Sequence, residues 1–171
     1  LHISADSRYK LYINGEYLNR GPARSDPKWQ QYDSYDVREY LQSGPNVIAV
    51  LVHHYGVGTG FSVVTRAGLI GQLEMKDPTG EKSVIGTDES WRVRRAVAWA
   101  QSGESSAILG FPEIFNFNMV PQGWKTAGFD DDEWEWAHVV PLPERPWTLI
   151  PREIPMLVEQ EVYPERIHRT G

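Results

Sequence analysis

Apolar and polar positions alternate from the start of the chain. In "RYKLYINGEYLNRG" (8–21), Tyr9, Leu11 and Ile13 alternate with Arg8, Lys10, Tyr12 and Asn14, the period-two pattern of a half-buried strand. Asn14-Gly15 supplies two residues that tolerate positive φ, so a type I′ hairpin is predicted, with residues 16–20 as its return strand. A short strand at 2–5 precedes it. The polar loop "GPARSDPKWQQ" leads into a strand at 32–36. In "VREYLQSG" the spacing of Val37, Tyr40 and Leu41 predicts one helical turn, stopped by Gly44-Pro45. "NVIAVLVHHY" is the most continuous apolar run. It predicts a central strand with Val47, Ala49 and Leu51 on one face and Ile48, Val50 and Val52 on the other. Strands at 61–66 and 69–76 follow, then an Asp77-Pro78-Thr79-Gly80 turn with 81–86 pairing back. "SWRVRRAVAWA" continues in strand character. The chain shows no long amphipathic helix, and the pattern predicts an all-β fold, a β-sandwich or jelly roll.

After Pro141 the pattern breaks down. "PLPERPWTLIPREIPMLVEQEVYPER" spaces its prolines too closely for regular strands or helices. The division expected is a β-sandwich domain over 1–141 and an extended Pro-rich C-terminal connector over 142–171, leading to another domain. One internal echo stands out: "TDESWRV" and "FDDDEWEWA" each place acids ahead of a Trp and a strand. Asp side chains close turns through backbone hydrogen bonds, and the following Trp anchors a sheet.

Composition sharpens the picture. The 171 residues are enough for one domain with a real core. Seven Trp, 8 Tyr, 15 Gly and 12 Pro suit a turn-rich β domain. A net charge of −6 and pI near 5.4 argue against nucleic acid or an anionic membrane as partner. No apolar run approaches the ~20 residues of a spanning helix. Without cysteine there is no disulfide framework, no thiolate nucleophile and no Cys-based zinc site. The opening "LHISADS" reads as a strand already in progress, so a fragment of a longer protein is expected and the missing targeting signal carries little weight.

The acids of "DDDEWE" are sequence neighbours in a turn, and a solvated turn is the expected reading rather than the facing carboxyl pair of a glycosidase. No GxSxG elbow or P-loop is present, and Gly56, Gly58 and Gly60 do not precede a helix. His53 and His54 point to opposite faces of a strand, which makes joint ligation of one metal difficult and favours hydrogen-bonding roles. The remaining polar constellation is Asp6-Ser7, the "ARSDPKW" loop and "HHYGVGTG", three segments that a β-sandwich brings to one edge. Asp6, Ser7 and backbone carbonyls are hard oxygen donors of the kind calcium accepts. Trp29 offers a ring face to the C–H face of a sugar, and His54 or Tyr55 a donor at the rim. The plainer alternative makes Asp6-Ser7 a turn and packs Trp29 under its loop.

Residues 3–56, with Ser-Ala-Asp, an aromatic strand ending in Asn-Gly, Tyr-Asp-x-Tyr-Asp-Val and Gly-x-Asn-x-Ile-x-Val, resemble the N-terminal β-sandwich domain of bacterial α-L-rhamnosidases, glycoside hydrolase family 78. "PQGWKTAGFDDDEWEWAHVV" is similar to that family's Gly-Trp, Gly-Phe-Asp-Asp, Trp and Ala pattern, and "LIPREIP" to its connector. The resemblance implies a jelly-roll, galactose-binding-like β-sandwich and a catalytic acid and base in an α/α barrel outside this chain. It implies two roles: a non-catalytic accessory domain, structural or interdomain, or a rhamnose-binding module assisted by calcium. In the second, a rhamnose-containing glycan or related deoxysugar is the ligand, and the parent's catalytic domain is a partner in both. It also points to a periplasmic or secreted location. Family members that hold calcium do so with an Asp-Asn pair, and Asp6 and Ser7 stand at the matching positions. Serine brings one uncharged oxygen. The family's loop tryptophan corresponds to Trp29, and the carbonyl-bearing loop falls at 55–60.

Overall fold

The computed structural model describes residues 1–58, 60, 63–103, 111–141 and 147–166. It is all-β. The strands are β1 (His2–Asp6), β2 (Arg8–Ile13), β3 (Glu16–Gly21), β4 (Gln30–Ser34), β5 (Ile48–His53), β6 (Gly68–Lys76), β7 (Lys82–Gly86), β8 (Arg92–Val93), β9 (Trp99–Ala100), β10 (Ile114–Phe115), β11 (Glu135–Trp136) and β12 (Leu149–Pro151). Five form a sheet in the order β12-β4-β1-β6-β7, three form β3-β2-β5, and β9-β10 and β8-β11 make two-stranded ribbons.

The predicted hairpin forms, with Asn14 at φ 52° and Gly15 at φ 91° and Ile13 paired with Glu16. The chain passes from the five-stranded to the three-stranded sheet at Ser7, between β1 and β2. Period-two alternation then aims Ile3 and Ala5 of one sheet and Tyr9, Leu11 and Ile13 of the other into a shared core. Burying each of the large apolar side chains there contributes roughly 1.5–3 kcal/mol.

Four sequence expectations shift. The apolar run 46–55 does not form a central strand: β5 pairs with β2 alone among the described strands, and β2 lies in the middle. Ile48, Val50 and Val52 do pack on the core, but of the run only Ala49 is buried. On the outer face of this sheet a later segment packs over β2: the Trp124 ring meets Tyr12 edge-on at 5.8 Å and Lys125 Nζ lies 4.3 Å over the same ring. Residues 63–66 are not a strand, and Val63 and Val64 are exposed; Phe61 and Ser62 lie outside the described residues. The strand expected at 32–36 begins at Gln30, and "SWRVRRAVAWA" yields only the two-residue β8 and β9.

The acidic echo proves to be a structural pair. Asp88 Oδ1 accepts from Ser90 N–H and Asp130 Oδ1 from Asp132 N–H. The strands they introduce, β8 and β11, pair antiparallel, with the Arg92 guanidinium 3.4 Å over the Trp136 ring. The acids at 130–133 thus sit in the turn ahead of β11, and Glu135 is exposed on that strand.

Beyond Pro141, residues 142–146 and 167–171 lie outside the described residues. Despite its prolines, the described part contains one strand. β12 runs parallel to β4, pairing Leu149 with Gln30 and Pro151 with Tyr32. Pro151 at the sheet edge costs no ladder bond with a further strand. One residue on, Arg152 Nη1 donates to the fully buried Asp33 Oδ1 at 3.1 Å. Asp33 Oδ2 accepts from the Tyr9 hydroxyl, which meets Tyr35 Oη at 2.9 Å. Glycine at 21 makes room for this network: a Cβ there would stand 1.9 Å from Asp33 Oδ2 and 2.7 Å from Tyr9 Oη. Burial raises the pKa of Asp33, opposed by the Tyr9 hydrogen bond and Arg152, and raises those of both tyrosines, Tyr35 to about 12.

Candidate functional site

The site assembles where the chain changes sheets. β1 ends at Asp6 and β5 ends at His53, so the β1–β2 junction and the segment after β5 share one end of the sandwich. Ser7 N–H donates to His53 O at 2.9 Å, fastening the two. The Asp6-Ser7 peptide is cis. Ser7 Oγ donates to Asp6 Oδ1 at 2.7 Å and accepts from Tyr55 N–H at 3.1 Å. His54 Nδ1 lies 3.1 Å from the same Asp6 Oδ1. Four of the five residues predicted for the site therefore form one hydrogen-bonded cluster, with Asp6 only 6% exposed.

In front of the cluster lies a cleft of about 40 Å³, lined by Asp6, Ser7, Arg8, Arg24, Gln30 and Tyr55 among others. It has room for a few waters, far from the ~300–1,000 Å³ of typical small-molecule sites. The Arg8 guanidinium stands 5.5 Å over the Tyr55 ring. Trp29 closes the 3₁₀ turn Pro27–Trp29, capped by Asp26, whose carboxylate accepts from Lys28 N–H. Its neighbours Pro27 and Gln30 line the cleft, while the Trp29 side chain is 58% exposed and is not part of the lining. His54 meets the cleft only through Asp6. His53 turns the other way, its ring 4.7 Å from that of Tyr55, and burial and the nearby Arg8 lower its pKa. Thr59, within the predicted 55–60 loop, lies outside the described residues.

Sequence reasoning missed Arg8, Arg24 and Gln30. Arg8 was legible as the residue after Ser7, but its part follows only from the fold. The donor set is a poor match to calcium, which takes about 6–8 oxygen ligands. One carboxylate is present, its Oδ1 already accepts two hydrogen bonds, Ser7 Oγ is engaged on both sides, and two arginines flank the space. Among the described residues, no group of three or more His, Asp and Glu side chains is placed to hold a metal.

The sandwich topology and the order of its motifs agree with one family model: that of the α-L-rhamnosidase N-terminal domain, which matches residues 1–159. The chain belongs to this family. No curated protein matches it. Among solved structures, a GH78 family rhamnosidase of Bacillus sp. GL1 is 39% identical with a TM-score of 0.81, over 95% of this chain and 17% of that one. The α-L-rhamnosidase from Dictyoglumus thermophilum is 24% identical with a TM-score of 0.69, over 88% of this chain and 16% of that one. The Streptomyces avermitilis α-L-rhamnosidase, solved in complex with L-rhamnose, is 24% identical with a TM-score of 0.60, over 79% and 14%. The last two matches speak for the fold alone. This α-L-rhamnosidase N-terminal domain spans no more than 17% of the length of any of the three.

Proposed function

We propose that the chain is a non-catalytic accessory domain of an α-L-rhamnosidase, a β-sandwich that supports and orients the catalytic part. Membership of the N-terminal domain family is the observation that carries this reading. Chemistry supports it: glycoside hydrolysis needs two carboxyl groups flanking one bond, and the cleft is lined by a single carboxylate, Asp6. The Asp6 cluster acts here as a latch between the sheets, with Asp6 Oδ1 and the Ser7 hydroxyl engaged within the protein. The exposed Leu157, Val158, Val162 and Tyr163 of the tail give an apolar surface for docking the parent's catalytic domain. The test is to assay the whole protein with and without this domain. The reading expects the remainder to keep its pH–rate profile while losing thermal stability; a profile that shifts on removal counts against it.

A second reading, a rhamnose-binding module, is favoured by the convergence of Asp6, Ser7 and Tyr55 on one cleft. Calcium is assigned no part in either reading. Titration of the chain with L-rhamnose, with and without calcium, and again in Asp6→Ala and Trp29→Ala, separates the two. Binding lost in both variants supports the module, and no binding supports the accessory role.

A further inference from the structure

The outer face of the five-stranded sheet carries a second, larger hollow of about 390 Å³. Cross-strand register lays out its floor. Ser34, His2, Gln72 and Gly86 stand in one row across β4, β1, β6 and β7, about 4.8 Å apart as adjacent strands require. The Tyr32 ring meets His2 edge-on at 5.6 Å. Ile70 and, from β12, Leu149 supply apolar walls, and Glu74 closes one side.

The polar groups are held in place yet keep bonding capacity. His2 Nδ1 lies 2.8 Å from Ser34 Oγ, and its Nε2 is 3.9 Å from Glu74. Gln72 Nε2 donates to Glu74 Oε1 at 2.9 Å. The second amide N–H and the carbonyl of Gln72 and the other oxygen of Glu74 have no part in that bond. The row ends at Gly86, where bare backbone lets a ligand come close.

We propose that this hollow is a binding site for a neutral, hydroxyl-rich ligand, an oligosaccharide segment lying across the strands. The volume falls in the ~300–1,000 Å³ range of small-molecule sites. Donors and acceptors are mixed, as hydroxyl groups need, and Ile70, Leu149 and Tyr32 suit C–H faces. The Glu74 carboxylate and the net charge of −6 disfavour anions. The polar floor disfavours a purely apolar ligand. The site is distinct from the Asp6 cleft and stands or falls separately from the accessory reading.

Gly86 provides a clean test. A Cβ there would make only an ordinary 3.8 Å contact with Gly71 O, and its φ is not in the left-handed region. Gly86→Val therefore fills the hollow and keeps a β-favouring residue in β7. The chain is titrated with a neutral rhamnose disaccharide and, as control, a galacturonic acid disaccharide, followed by backbone amide NMR. The neutral probe is expected to shift the amides of His2, Gln72, Glu74 and Gly86, with no response to the acidic one. Gln72→Ala and Gly86→Val should each weaken binding about tenfold or more, the worth of roughly one good hydrogen bond, with melting temperatures near that of the parent. No response to the neutral probe, equal affinity in both variants, or shifts confined to Asp6, Ser7 and Tyr55 would overturn the proposal.

Discussion

Arg152 and Asp33 show how much rests on single residues. Their ion pair is almost wholly buried, with side-chain exposures of 11% and 0%. Breaking such a pair from one side costs about 3–5 kcal/mol, because the remaining charge is left buried without compensation. Arg152→Met should destabilise by about that much in urea denaturation. The pH dependence has a definite sign. Burial raises the folded-state pKa of Asp33, so its contribution is most favourable below the ordinary carboxylate range and falls as pH rises through the folded value. Without Arg152 that value rises further, so the penalty should be largest at neutral pH and shrink on acidification. A penalty independent of pH would contradict the buried-charge account. At Gly21 the argument is steric: Gly21→Ala drives a Cβ into Asp33 and Tyr9, and a loss of about 3 kcal/mol or more is expected from overpacking together with the disturbed network.

Among the elements, β2 and β5 separate what a sequence shows from what it hides. The Asn14-Gly15 hairpin was legible because its signal is local: turn residues and alternation lie within a few positions of each other. The place of β5 was not. An apolar run on both faces suggests a central strand, but among the described strands β5 pairs with β2 alone, and which strand lies in the middle is decided by long-range pairing that no local window shows. The energetic consequence is testable. Leu11, fully buried on β2, should cost about 2–5 kcal/mol when truncated to Ala, and Val50, half-buried on β5, about 0.5–1.5 kcal/mol. Equal losses in chemical denaturation would restore β5 to the centre. At the site, the meeting of Asp6, Ser7, His54 and Tyr55 was legible because strand order alone brings their segments to one end. That Trp29 stands at the surface yet outside the cleft lining was not, since it depends on how a 3₁₀ turn is capped. Nor was Arg152, whose partner lies 119 positions away.

For the whole molecule, the two sheets, the segment around Trp124 that packs on Tyr12 and the returning tail make one sandwich whose last described strand, β12, lies beyond Pro141. That arrangement suits a domain that fixes the direction of the chain leaving it: β12 and Arg152 tie the exit to the core. The proposed role is that of a domain that supports catalysis without performing it. The most direct measurement is turnover of an aryl α-L-rhamnoside by the purified chain. None is expected above a buffer control, because each of the two clefts is lined by a single carboxylate. Turnover that survives repurification and disappears in Asp6→Asn or Glu74→Gln would contradict it.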